Sequence, residues 1–190
     1  MLSILRGEPG SPSSKIICSN LRRAISTLAA GFRERLARRP SDSIIIVPSL
    51  QEISRNPDAL AITPPQTLVT PSWIEKESKI ADFKQIYAKQ CDVKLHYGNK
   101  PVNSNGYIRM QQFNDFVFKQ DEDVIIAGGH SIWFRSYFKT FLPYSNDHVA
   151  KTRKIVNGGT VSFTLMKTET NDGPVFMVDP KSILVVYGGF

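Results

Sequence analysis

The segment Val124–Phe138, VIIAGGHSIWFRSYF, decides the fold. An apolar, β-branched run ends in two glycines. A histidine follows, and then an aromatic stretch with helical spacing. A short apolar run bounded by glycine suits a strand covered on both faces. Strand, tight turn and helix in that order are the repeating unit of an α/β protein. His130, at the turn, reads either as an ordinary polar turn residue or as a catalytic group at the edge of a sheet.

Working outward, the same pattern recurs. KIIC (15–18) reads as a short buried strand, followed by a helix over 19–39 with Ser19 or Asn20 as its cap. Leu21, Ala24, Ile25, Leu28, Ala29, Phe32 and Leu36 fall on one face of that helix, and Pro40 lies past its end. SIIIVP (43–48) is a second apolar run. Residues 49–73 hold four prolines and little periodicity, so they read as a long loop of the kind that often serves as a lid. Helices are expected over 77–89, 106–120 and 130–142, the last stopped by Pro143, and 147–157 also has helical character. Residues 90–104 read as irregular. Strands are expected over 123–129, 159–169 and 182–188, with a short one over 174–178. Residues 1–14, rich in Gly, Pro and Ser, read as poorly ordered. The expectation is one three-layer α/β/α domain over 15–190 with a mainly parallel central sheet.

The chain has 190 residues, 41% of them apolar, enough for one sizeable core. No apolar run reaches the length of a membrane span. Cys18 and Cys91 form neither a disulfide framework nor a metal motif, which reads as a reduced, cytoplasmic protein. The net charge of +7 is local. Residues 1–39 hold eight Lys or Arg against Glu8 and Glu34, a net of +6, and the other 151 residues net +1. That distribution argues against a general nucleic-acid coat. Arg33, Arg35, Arg38 and Arg39 cluster at a helix C-terminus, where the dipole favours cations, and read as a solvated helix end. The alternative is a nucleic-acid contact through the basic helix 21–39.

Ligands of parallel sheets bind beyond the carboxyl ends of the strands. Three such ends carry CSNLRRA, VPSLQEI and GGHSIWF. They offer Arg22 and Arg23 at a helix start, Glu52 after a strand, and His130 at a strand-to-helix turn. An arginine supplies fork-shaped donors for phosphate oxygens, and a helix N-terminus adds free amides. A histidine can share charge or move a proton near neutral pH. A carboxyl group close to a phosphate can protonate a leaving oxygen. Each residue alone also has an ordinary reading: Arg23 as a solvated helix residue, Glu52 as a surface carboxylate, His130 as a capping or core histidine.

Taken together, SNLRRAIST (19–27), VPSLQEI (47–53) and VIIAGGHS (124–131) resemble, in order, three elements of the histidine phosphatase superfamily in its phosphoglycerate mutase-like branch. The resemblance implies a phosphatase or phosphomutase acting on a phosphomonoester through a phosphohistidine, with no metal or other cofactor. Its partner would be a phosphorylated small molecule or a phosphoprotein. Arg23, His130 and Ser131 would hold the phosphate, His130 as the second, non-attacking histidine, and Glu52 would donate the proton. Tyr87, Lys94 and Arg109 would lie in the region covering the site.

The family's opening strand ends in R-H-G, whose histidine attacks. This chain has no R-H-G, and its histidines are His96, His130 and His148. The first strand, the first helix and the nucleophile are therefore expected to be missing. An incomplete chain is preferred over one that lost catalysis, and an open slot in the sheet with low stability is expected. His96 and His148 read as surface residues. Lys151, Arg153 and Lys154 either reach an anionic substrate or face water. Trp133, Phe134, Tyr137 and Phe138 read as core.

Overall fold

A computed structural model describes residues 1–54, 58, 61–72 and 81–190. These divide into two compact units, Met1–His130 and Ser131–Phe190, where the sequence reading has one domain over 15–190.

The first unit is built on four parallel strands: β1 (Ser14–Cys18), β2 (Ile44–Ile46), β3 (Cys91–Asp92) and β4 (Val124–Gly128), in the order β3-β2-β1-β4. This is an α/β arrangement with a parallel sheet, as the apolar runs imply. Strand β1 pairs on both sides, with Ile16 opposite Ile44 and opposite Ile126. The described sheet thus has no open slot beside β1, contrary to expectation. Backbone groups that a missing strand would have orphaned are instead paired between β1 and β4.

The single helix expected over 19–39 is two: α2 (Arg22–Gly31) and α3 (Arg33–Arg38), which follow a first short helix, α1 (Leu2–Arg6). Gly31 is a poor helix former, and Phe32 leaves helical geometry at φ −104°, ψ 10°. Neither Ser19 nor Asn20 caps α2. Its N-cap is Leu21, with no side-chain cap, and Arg22 N donates to Ala61 O at 2.8 Å. Side chains alternate across the sheet, so Ile16, Cys18, Ile44 and Ile46 face the same way. They form one core with Ala24, Ile25, Leu28 and Ala29 of α2, Leu36 of α3, and Ile86 and Tyr87 of α4 (Ala81–Lys89). Helix α2 passes so close to β4 that a Cβ on Gly128 would meet Leu28 Cδ1 at 2.5 Å. Helix α5 (Gly106–Val117) packs on the single turn Pro48–Leu50, just after β2. Its cap is Asn105, whose side chain accepts from Tyr107 N.

Two basic features depart from the sequence reading. Residues 1–14 are not shapeless, since α1 ends at Gly7 in the left-handed region (φ 60°) and β1 begins at Ser14. The arginine cluster is a solvated helix end only in part: Arg33 and Arg38 are exposed, but Arg35 is not. Arg35 is 2% exposed. Its guanidinium donates to Asp42 Oδ2, to Ile4 O, and to both Oγ and O of Ser14, at 2.8–3.0 Å. Arg38 donates to Arg6 O, Arg39 pairs with Asp42 at 3.6 Å, and Arg33 lies over the Phe83 ring. Arg35 and Arg38 thus tether the N-terminal segment through Ile4, Arg6 and Ser14.

The second unit opens with α6 (Ser131–Phe141), which buries Trp133, Tyr137, Phe138 and Phe141. Trp133 stacks on Tyr137 with ring centres 5.0 Å apart, and Phe163 and Phe190 pack edge-on against Phe138. The strand expected over 159–169 is two, β5 (Thr160–Ser162) and β6 (Leu165–Thr170). Strand β6 forms a hairpin with β7 (Gly173–Val178), and β5 pairs antiparallel with β8 (Leu184–Tyr187). Residues 147–157 supply only the turn Val149–Lys151, whose amide Ala150 N is capped by His148 Nδ1. The Lys151 ammonium donates to the carbonyls of Pro143, Tyr144 and Asn146, so it closes a loop rather than facing an anion.

Among the described residues, no helix is long and apolar enough to cross a membrane.

Candidate functional site

The β1–β4 ladder continues one step past the strands, with Ser19 N donating to Gly128 O at 2.9 Å. That register sets Ser19 beside the turn after β4. His130 Nε2 lies 2.8 Å from Ser19 Oγ, a contact between residues 111 positions apart. His130 is 6% exposed and Ser19 is fully buried. His130 is therefore not a solvent-facing turn residue: its ring is buried and tied to the end of a neighbouring strand, which fits a core histidine as well as a group at a site.

Burial pushes the His130 ring well down, to about 4, and the positive charges of Arg23 and Lys100 push the same way while Asp58 opposes them. His130 is neutral at pH 7. It can offer a ring N–H to an anion, but it is not the half-protonated group expected from an ordinary imidazole. A dianion arriving beside it would cancel the neighbouring positive charge and raise its proton affinity.

Arg23 sits in the first turn of α2 with its side chain about half exposed, and its Nη1 lies 3.9 Å from Asp58 Oδ1. The other oxygen of Asp58 accepts from Lys100 Nζ at 2.9 Å and from Gln51 Nε2 at 3.2 Å. The Asp58 and Lys100 side chains are 8% and 5% exposed. Burial alone would raise the Asp58 carboxyl, but the hydrogen bonds from Lys100 and Gln51 and the charges of Lys100 and Arg23 outweigh it and hold it below the usual range. Asp58 also has a backbone φ of +53°, unusual for a residue with a Cβ.

Glu52 is buried beside these groups. Its Oε1 accepts from Ile53 N at 2.8 Å, and its backbone carbonyl accepts from Lys100 Nζ at 2.8 Å. The carboxylate that bears most on His130 is Asp58. Arg109, 8% exposed, donates from Nη1 to Gln51 O at 2.6 Å. It holds the backbone of the Gln51–Glu52 stretch. Burial lowers its guanidinium, countered by the charges of Glu52 and Asp58. Gln51 is a hub: its Oε1 accepts from Asn20 Nδ2 and Lys100 N, and its Nε2 also donates to Asn99 Oδ1.

The structure thus brings Arg23 and His130 to one electrostatic neighbourhood at the carboxyl ends of β1 and β4, with Glu52 near Arg109. Ser131 is the first residue of α6, in the second unit, and is half-buried. Of the covering residues, Tyr87 lies in the core with its hydroxyl 2.8 Å from that of Ser26, and Lys94 is solvent-exposed beside Asp92. His96 is not a surface residue. It is fully buried, with Nε2 2.9 Å from Thr63 Oγ1, and burial lowers its proton affinity. Only part of the helix start stays open to a ligand, because Arg22 N is already bonded to Ala61 O.

Lys100, Asp58, Gln51 and Asn20 are the residues that sequence reasoning missed. Lys100 fell in a stretch read as irregular and Asp58 in one read as a lid. They meet across 42 positions, which no local pattern encodes. Among the described residues, no three His, Cys, Asp or Glu side chains converge as a metal site would need. No family model, curated protein or solved structure matches this chain.

Proposed function

We propose that the chain binds the phosphate group of a phosphomonoester at the carboxyl end of its parallel sheet, as a phosphoglycerate mutase-like phosphatase domain of the histidine phosphatase type with three-layer architecture. The observation that carries this reading is the buried Ser19–His130 contact with Arg23 acting on the same ring. Two motif segments far apart in sequence, 19–27 and 124–131, supply its parts. In this reading Arg23 binds phosphate oxygens through its fork of donors. His130 donates a hydrogen bond and takes up charge as the dianion arrives, while Ser19 fixes the ring's orientation. Glu52 is the candidate proton donor, and Ser131 adds a hydroxyl.

In this reading His130 is the second, non-attacking histidine, held through Nε2 by Ser19. The site is then one for holding and stabilising a phosphoryl group, and turnover by the phosphohistidine route would need an R-H-G histidine, a motif absent from these 190 residues. The competing nucleic-acid reading loses part of its support, because Arg35 is buried and Arg39 pairs with Asp42, while Arg33 and Arg38 stay exposed.

Inorganic phosphate or vanadate is expected to bind the intact chain, and Arg23→Gln and His130→Asn are each expected to weaken it about tenfold or more by calorimetry. An aryl phosphate should not be turned over. Binding untouched by both substitutions would overturn the reading, and turnover at an ordinary phosphatase rate would overturn the claim about the nucleophile.

A further inference from the structure

We propose that Lys100 is a second cation of the phosphate pocket and that the Asp58 carboxylate holds the place of the anion while the pocket is empty. The inference rests on the phosphate-binding reading above and goes further, since it names an internal competitor for the site.

The Asp58 carboxylate is bracketed as a bound anion would be. Lys100 Nζ lies 2.9 Å from one oxygen, and Arg23 Nη1 lies 3.9 Å from the other. Gln51 Nε2 adds a third donor at 3.2 Å. All of this occurs within electrostatic reach of the buried His130 ring. An arginine, a lysine and an amide converging beside a histidine make a set of donors suited to an oxyanion.

Lys100 is built into place rather than drawn in by chance. Its Nζ also donates to Glu52 O at 2.8 Å, and its backbone amide donates to Gln51 Oε1 at 3.0 Å. Those two bonds do not involve Asp58, so the ammonium keeps its position if the carboxylate leaves. Asp58, by contrast, has a left-handed backbone at φ +53°, and among the described residues its carboxylate accepts hydrogen bonds from Lys100 and Gln51 alone.

The charges also add up. With Asp58 in place, Arg23 and Lys100 carry two positive charges against one negative. Withdrawal of Asp58 exposes +2, which matches a phosphate monoester dianion. An internal carboxylate avoids leaving a buried ammonium uncompensated in the empty state. It also makes any weakly charged ligand compete with it, which favours dianions over monoanions.

The test uses the full 190-residue chain and inorganic phosphate. Asp58→Asn is expected to tighten phosphate binding about tenfold, and Lys100→Met to weaken it by a similar factor. A second measurement needs no variant. In the wild-type chain, the Asp58 carboxyl carbon resonance should shift on phosphate addition and saturate together with the His130 ring resonances. If the His130 signals move while the Asp58 carboxyl does not, or if Asp58→Asn weakens binding in a folded chain, the inference is overturned and the phosphate-binding reading stands. If neither the wild type nor Asp58→Asn binds phosphate, both are overturned.

Discussion

Strands β1 and β8 are both short and apolar, yet Ile16, Ile17 and Cys18 are at most 1% exposed, whereas Leu184, Val185 and Tyr187 are 46–70% exposed. The difference lies in their neighbours. Strand β1 is paired on both sides in a parallel sheet, and the face that carries Ile16 and Cys18 is covered by α2, α3 and α4. Strand β8 pairs with β5 alone, over a short and irregular register. A parallel sheet puts apolar side chains on two faces and needs layers to hide them. A two-stranded antiparallel pair can leave one face wet. The apolar run is the same signal in both, and the number of partners decides what it becomes.

The largest break in this contrast is expected at Ile17. Ile17→Ala should cost about 2–5 kcal/mol, because Ile17 is fully buried and its truncation leaves a cavity. Urea unfolding measures it, and a loss below about 1 kcal/mol would undo the account of β1 as the core strand.

The next effect comes from acid. The His130 ring takes its proton near 4 in the folded chain, against 6.5 ordinarily. Between those values the unfolded chain holds more protons, so stability falls as pH drops from 6.5 to 4, by about 3 kcal/mol at most. The buried His96 shifts in the same direction. Asp58 adds a further loss only below its ordinary 3.8, since its folded value is lower still. The denaturant midpoint should therefore fall between pH 7 and pH 4.5, and less steeply in His130→Asn. Equal slopes in the two proteins would remove His130 as the cause.

The smallest effect sharpens the comparison from the other side. Leu184→Ala, on the exposed β8, should change stability by about 0.5 kcal/mol or less. A loss as large as that of Ile17→Ala would mean that β8 is covered after all.

Where the sequence was legible, the reason was local. KIIC, SIIIVP and VIIAGG are each a few residues long and bounded by turn or polar signals, so their strands could be read one at a time. His130 was legible because glycines isolate it at a strand end. Arg35 was misread because a helix C-terminus is where cations ordinarily face water, and its acceptors Ile4 and Ser14 lie 31 and 21 positions away. His96 was misread because it lies in a short irregular stretch where flanking Leu95 and Tyr97 set no period, and its partner Thr63 is 33 positions away. Lys100 and Asp58 were invisible for the same reason as Arg35: an ion pair across a fold leaves no period in the chain. The motif pattern points to Arg23, Glu52 and His130 as one group, whereas the structure sets Asp58 and Lys100 by Arg23 and His130, and Glu52 by Arg109.

The pairing of Ser14 with Val124 also carries a cost in time. About 110 residues must be synthesised between one partner and the other, which at ribosomal speed takes about 5–20 s. Through that interval Ile16 and Ile17 have one edge without its final neighbour, while the helices that follow can already form. Closing so long a loop is an entropic barrier that local contacts cannot lower. The ends of β1 and β4 meet only when it closes, so Ser19 reaches His130 in the same late event that completes the core. Before that event the Arg23, Gln51, Asp58 and Lys100 group lacks only its histidine, and the exposed isoleucine edge is the segment that a chaperone would have to shield.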